Sequence, residues 1–343
     1  MSPVRIALFG LGPIGRAAGA LALSRANLEI VGAVDVDPQL VGLDLGRCLE
    51  AGRDLGIRVT ADADEMLAVV RPEVVLHCTA SSIERVAGQL RAIVGRGAAV
   101  VSTCEELSFP WLDDHPEVAE LDELARALGV AVLGTGVNPG FAMDTVPLLL
   151  SGAAQRIDHV SVSRVQDAAA RRLPLQRKVG VGISVEEFEA RRATIGHVGL
   201  RESLHLLAGG LGWRLERTER TLEPVIATAP ATFGETVVDA GRVLGVHEQV
   251  RGFVEGRERI VLDLRMYAGA PDPHDAVEIE GVPDLRLRVD GLHGDLCTAA
   301  VAVNCVAAVL RARPGVLTML DVPLVSASLG PLQPRPTAGP TSP

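Results

Sequence analysis

The segment that decides the fold is "VRIALFGLGPIGRAAG", residues 4–19. It opens as a short apolar strand and continues as a helix, with Gly10, Gly12 and Gly15 in GxGxxG spacing at the junction. The first glycine permits the tight turn, the second lets the backbone approach a pyrophosphate, and the third lets helix and strand pack closely. Pro13 suits the first helical turn, where its missing N–H is no loss. The candidate phosphate-binding turn is therefore Gly10, Leu11, Gly12, Pro13, Ile14 and Gly15. Glycine spacing alone also fits a turn with only a packing role. Asp35 strengthens the nucleotide reading, because it ends the next apolar run, "LEIVGAVD", where an acid would accept the adenosine ribose hydroxyls. Val36 and Asp37 follow it, with no arginine to receive a 2′-phosphate, so NAD(H) is favoured and NADP(H) is possible.

Outward from this segment, short apolar runs alternate with amphipathic helical stretches. "VRIALFG", "LEIVGAVD", "IRVT", "EVVLHCTA", "AAVVSTCE" and "VAVLGTG" read as six strands, separated by segments such as "SIERVAGQLRAIVGRG" and "HPEVAELDELARALG". The pattern predicts an α/β domain, a doubly wound parallel Rossmann sheet, over residues 1–143. Beyond Asp144 the texture changes to a helix, "DTVPLLLSGAA", and to long alternating strands such as "RIDHVSVSRVQ", "GWRLERTERTLEPVIA" and "RIVLDLRMYAG". These predict a second, α+β domain over 144–294, with a mixed or antiparallel sheet that serves substrate binding and homodimer formation. "SVEEFEARRATIGHVGLRESLHLLAGGLG" reads as two helices joined at "IGHVG". "DLCTAAVAVNCVAAVLRA" is apolar nearly all round and predicts a buried helix, within a 295–330 segment that packs back towards the first domain. The proline-rich end, 331–343, reads as a disordered tail.

Composition limits what such a protein can do. With 343 residues and 48% hydrophobic content the chain can bury a core larger than one ordinary domain needs. A net charge of −10 and an aromatic content of 3% argue against nucleic acid and anionic membrane surfaces as partners. The start lacks the pattern of a secretory signal, and no run is long enough to span a bilayer, so the expected location is cytoplasmic. Five scattered cysteines without CxxC spacing predict reduced thiols and no metal. Lys178 is the only lysine, so Schiff-base chemistry has a single candidate.

Ligands of doubly wound sheets sit beyond the carboxyl ends of the strands. The fourth strand ends in "CTASS", offering Thr79, Ala80 and Ser81 to the cofactor; the fifth ends in "STCEE", and the sixth in "GTGVNPGFAMD". Glu105 and Glu106 thus stand where the nicotinamide would lie. A carboxylate there can accept and return a proton and stabilise a positive charge. Either glutamate can instead cap a helix or turn. Asn138 and Pro139 are candidate nicotinamide contacts or plain turn residues. Phe141, Met143 and Thr298 are candidate pocket walls or core residues. Arg171 and Arg172 would bind a substrate carboxylate or lie on the surface. Cys104 invites comparison with a thiol nucleophile, but no partner histidine is legible beside it.

The stretches "STCEELSFP", "GTGVNPGFAMDTV", "VQDAAARR", "GHVGLRES" and "GDLCTAAVAVNCVAAVLRARPGVLTMLDVP" together resemble the 2,4-diaminopentanoate dehydrogenases and their relatives, the native amine dehydrogenases. The likeness runs over nearly the whole chain except the tail. A more distant one is to dihydrodipicolinate reductases, in the N-terminal domain, and homoserine dehydrogenases. The resemblance implies a catalytic glutamate in the loop after the fifth strand, hence Glu105 with Glu106 as runner-up; the catalytic lysine of homoserine dehydrogenases falls at the same place. It also implies a pocket role for His197, which could otherwise be a helix cap. The implied activity is NAD(P)H-dependent reductive amination of small aliphatic aldehydes or ketones with ammonia, reversible as amine oxidation. The alternatives are a 2,4-diaminopentanoate dehydrogenase acting on an amino-oxo acid and a non-catalytic nucleotide-binding regulator.

Overall fold

The computed structural model describes residues 2–171, 173–234, 236–327 and 330. The chain divides into two compact units, one built from the segments up to Val137 and from Gly294 onward, the other from Asn138–His293. The two crossings lie in "NPGFAMD" and "GLHGDLCT".

In the first unit β1 (Val4–Phe9), β2 (Leu28–Val34), β3 (Val74–His77), β4 (Ala99–Ser102) and β5 (Ala131–Gly134) form a parallel sheet. Its order runs from the short strand Gly315–Leu317 through β5, β4, β3 and β1 to β2. Strands β3, β4 and β5 are buried along their whole length, which explains why they read as unbroken apolar runs. Helices Ala63–Val70, Ile83–Val94 and Pro116–Leu128 share one core with the sheet, through Leu67, Val86, Ile93 and Leu121. Helices Pro13–Leu23 and Gly294–Val309 pack on each other and against the strands. The latter buries Ala299, Val301, Ala302, Cys305, Val306 and Val309, so no polar face develops.

The reading of strands needs two corrections. "IRVT" is not a strand of the sheet: it makes only isolated bridges, Val34 to Thr60 and Asp44 to Arg58. Of its four residues Val59 alone is buried, too little to anchor a strand. The sixth strand is instead Gly315–Leu317, buried throughout and paired in parallel with β5. The loops at "CTASS", "STCEE" and "GTGVNPG" therefore follow β3, β4 and β5.

The second unit holds β6 (Arg156–Asp167), β7 (Arg217–Ile226), a small ladder of β8 (Ala231–Phe233) with β9 (Thr236–Val238), then β10 (Val243–Val254), β11 (Arg257–Tyr267), β12 (His274–Val282) and β13 (Leu285–Val289). Its six-stranded sheet, in the order β13-β12-β6-β11-β10-β7, is mixed: β6 and β11 run parallel and the other pairs antiparallel. Helices Thr145–Ser151 and Leu200–Gly210 contact this sheet. In the centre Val246, Val250, Leu262 and Leu264 are buried. The opposite face carries a polar group centred on Asp263, which accepts from His247 Nε2 at 2.9 Å and from the amide of Gln249. No helix among the described residues is long and apolar enough to cross a membrane.

Candidate active site

The three glycines of the first turn differ in what surrounds them. Gly10 has φ +91°, and a Cβ there would lie 2.5 Å from the Cys78 carbonyl oxygen; one on Gly15 would lie 1.9 Å from the Gly10 carbonyl. Both positions are closed to any side chain. A Cβ on Gly12, by contrast, meets nothing within 4 Å, and Gly12 caps helix Pro13–Leu23 without a side chain over the free amides. An open helix N-terminus bounded by packed glycines fits a pyrophosphate. Asp35 at the end of β2 accepts the Leu11 N–H at 2.5 Å and the Asp37 N–H at 2.8 Å, so its carboxylate braces the turn. Leu11 itself is a core side chain, and Ile14 is half-buried.

The two glutamates separate by their partners. Glu106 Oε2 accepts the Ile83 N–H at 2.7 Å, at the first turn of helix Ile83–Val94, whose N-cap Ser82 makes no side-chain capping bond. Its own N–H donates to the Ser81 carbonyl at 3.2 Å, tying the loop after β4 to the loop after β3. Glu106 is thus a helix cap. Glu105 is half-buried at the start of the single turn Glu106–Ser108 and accepts the Ser108 N–H on its carbonyl at 3.1 Å. Burial pushes the Cys104 thiol up to about 12 and the Cys78 thiol up to about 11, so both are protonated at neutral pH and Cys104 is no nucleophile.

Beneath these loops lies a residue that the sequence reading passed over. His77, the last residue of β3, is fully buried and contacts Ser102 Oγ at 2.9 Å through Nδ1, and Gln89 Oε1 at 2.8 Å and Thr79 Oγ1 at 3.0 Å through Nε2. Burial pushes its pKa down to about 4, so the ring is neutral. The available signal was a histidine inside an otherwise apolar strand, "VVLHC".

In the second unit Asn138 is buried; its Oδ1 accepts from Ser203 Oγ at 3.3 Å, and its Nδ2 has no partner among the described residues. A buried amide donor without a partner suits a ligand acceptor. Asp144, fully buried, accepts from the Gly140 N–H (2.8 Å), the Thr145 N–H (2.6 Å) and Ser203 Oγ (2.7 Å), while burial raises its pKa. This hub holds the "NPGFAMD" loop, and neither Asp144 nor Ser203 had been singled out. Pro139 is buried and Phe141 half-buried. Met143 has no exposed surface, in keeping with the core alternative of its two readings. In the first unit Thr298 is half-buried and accepts the Val137 N–H at 3.3 Å.

His197 is held by its backbone, whose N–H donates to Glu248 Oε2 at 2.8 Å; Glu248 Oε1 accepts from Arg220 at 2.7 Å. Its buried Nδ1 has no partner among the described residues. Burial first, then the positive charges of Lys178, Arg164 and Arg171, push the imidazole down to about 3, leaving it neutral. Arg164 is committed to a buried pair with Asp275 and to the Leu292 carbonyl. Arg172 and the tail 331–343 lie outside the described residues. Among the described residues no group of three His, Cys, Asp or Glu side chains is placed to hold a metal ion.

Residues 141–335 match the family model of the 2,4-diaminopentanoate dehydrogenase C-terminal domain. The chain is 30% identical over 340 residues to a 2,4-diaminopentanoate dehydrogenase of Acetoanaerobium sticklandii, covering 96% of each protein. It is 28% identical over 352 residues to an amine dehydrogenase of Streptomyces virginiae, covering 92% of this chain and 95% of that one. The structure of an amine dehydrogenase from Mycobacterium smegmatis superimposes with a TM-score of 0.85 at 27% identity, covering 95% of this chain and 98% of that one.

Proposed function

This chain belongs to the 2,4-diaminopentanoate dehydrogenase family of oxidoreductases acting on amines, and we propose that it catalyses the reversible reductive amination of small aliphatic aldehydes or ketones with ammonia, using NAD(H). The observation that carries this reading is the place of Glu105, half-buried in the loop beyond the carboxyl end of β4, where ligands of such sheets sit. Glu106, the runner-up in the same loop, caps helix Ile83–Val94 through the Ile83 N–H.

The overall reaction converts carbonyl, ammonium and NADH into amine, water and NAD⁺. Glu105 takes a proton from ammonium, which frees the nitrogen lone pair to add to the carbonyl carbon. It returns the proton to the hydroxyl that leaves as water, and its negative charge then stabilises the iminium. Bound NADH supplies the hydride. The turn Gly10–Gly15 would hold the pyrophosphate, Asp35 the ribose, and Thr79, Ala80, Ser81, Asn138 and Pro139 the nicotinamide end. Phe141, Thr298 and the neutral His197 would line the substrate position. The half-buried polar face of the second sheet supports a two-fold homodimer, testable by light scattering against the 36.0 kDa chain mass. Buried thiols at Cys48, Cys104 and Cys305 support a reducing, cytoplasmic setting.

A second reading has its own support: an amino-oxo acid substrate of the 2,4-diaminopentanoate type. The charges of Lys178 and Arg171 that act on His197 favour a substrate carboxylate beside it, with Arg171 as the proposed ligand. Cofactor oxidation followed spectrophotometrically decides between the two, using ammonium with a panel of carbonyl compounds, each with and without a carboxylate. Turnover that requires ammonium and Glu105 supports the proposed chemistry. Turnover without ammonium, or equal turnover by Glu105→Gln, would overturn it. A strict demand for the carboxylate, relieved in Arg171→Ala, would favour the amino-oxo acid.

A further inference from the structure

The hydrogen bonds around His77 run in one consistent direction. Gln89 Oε1, which also accepts the Thr79 hydroxyl at 2.7 Å, can only accept, so the neutral His77 ring carries its proton on Nε2 and donates to it. Nδ1 is then the acceptor, and the Ser102 hydroxyl donates to it while its oxygen accepts the Cys104 N–H at 3.1 Å. One tautomer satisfies every member. The imidazole is also fixed by the Phe9 ring, 5.5 Å away between centroids. One nitrogen thus leads to Thr79, in the loop after β3, both directly at 3.0 Å and through Gln89. The other leads through Ser102 to Cys104, the neighbour of Glu105, in the loop after β4.

We propose that His77 is a positioning residue that sets the cofactor loop at Thr79 and the Glu105 loop in register, each through its own ring nitrogen. The inference rests on the roles assigned above to Thr79 and Glu105. The two loops also meet through Glu106 and Ser81; the imidazole adds a second tie, whose Ser102 bond is buried, where a hydrogen bond is worth more and a broken one costs more, and whose Gln89 bond is part-buried. A neutral histidine is suited to the task because it offers one acceptor and one donor on opposite edges of a rigid ring. Its low pKa keeps that pattern unchanged across the neutral range.

Two substitutions separate the arms. The amide of Asn reaches the position of Nδ1, and the amide of Gln that of Nε2. His77→Asn should keep the Ser102 link and lose the Gln89 link; NADH affinity then falls roughly three- to ten-fold, as expected for one part-buried hydrogen bond, while protection of the Thr103–Leu107 amides against hydrogen exchange and the kcat at saturating NADH are retained. His77→Gln should do the reverse, with NADH affinity retained, amide protection lost and kcat lowered roughly ten-fold. NADH titration by cofactor fluorescence and hydrogen exchange by mass spectrometry need no carbonyl substrate. A wild-type protein that fails to oxidise NADH with ammonium would therefore sink the amination reading without touching this one. If either histidine variant does not fold, Gln89→Leu replaces the first and Ser102→Ala the second, with the same split expected. Equal effects of both variants on affinity and exchange, or no effect of either, would overturn the proposal and leave His77 a core residue.

Discussion

Replacing Glu106 by alanine should weaken the fold and spare the chemistry. The substitution removes the acceptor of the Ile83 N–H, a 2.7 Å bond at the start of helix Ile83–Val94, and leaves that amide uncapped because Ser82 does not reach it. Loss of a helix cap costs about 1 kcal/mol, and loss of a negative charge at a helix N-terminus about 0.5 kcal/mol more. For a unit of this size, about 1.5 kcal/mol corresponds to a fall in Tm of roughly 3–6 °C. Glu106→Gln keeps an oxygen acceptor and loses only the charge, so its Tm should fall by roughly 1–2 °C. Glu105→Gln should melt within about 1 °C of the parent yet lose roughly 10²- to 10⁴-fold in kcat, the usual contribution of a general acid–base group. Thermal melts by circular dichroism, beside turnover with ammonium and NADH, read both quantities on one preparation. The reasoning fails if Glu106→Ala melts like the parent while losing turnover, with Glu105→Gln still active.

The glycine turn should divide in the same way: Gly12→Ala, whose methyl enters open space, is expected to fold normally and bind NADH at least ten-fold more weakly, whereas Gly15→Ala should yield little folded protein, because its methyl would lie 1.9 Å from the Gly10 carbonyl oxygen. Expression yield and cofactor titration check both. Asp35→Ala should weaken NADH more than NADPH and also lower Tm, since it frees the Leu11 and Asp37 amides; an unchanged cofactor preference would show that Asp35 braces the turn only. Acid should destabilise the protein through His77. Its folded pKa of about 4 lies below the ordinary 6.5, so between those values only the unfolded chain binds the proton and stability falls as pH falls. The loss is on the order of 3 kcal/mol, and a Tm–pH profile of His77→Gln as steep as the parent's would contradict it.

The parallel sheet, the nucleotide turn and the mixed second sheet were legible in the sequence because each rests on a local, periodic signal. "VVLHC" and "AVVS" are apolar without alternation since both faces are covered, and "HVSVSRV" alternates since one face is not. The three glycines were legible because a tight turn and a close approach leave no other residue type. Reading by the same local signal also produced the errors, since "IRVT" has strand composition but buries only Val59 and "GVL" at 315–317 is too short to stand out. Partners distant in sequence decided the rest. Within "CEEL" the family resemblance alone ranks Glu105 before Glu106; the capping role of Glu106 comes from the Ile83 amide, 23 residues away. His77 gains its place from Ser102 and Gln89, Asn138 from Ser203, and His197 from Glu248, contacts spanning 25, 12, 65 and 51 residues. Residue type and spacing determine which groups are able to do chemistry, while the donors and acceptors they meet across the fold determine how each is held.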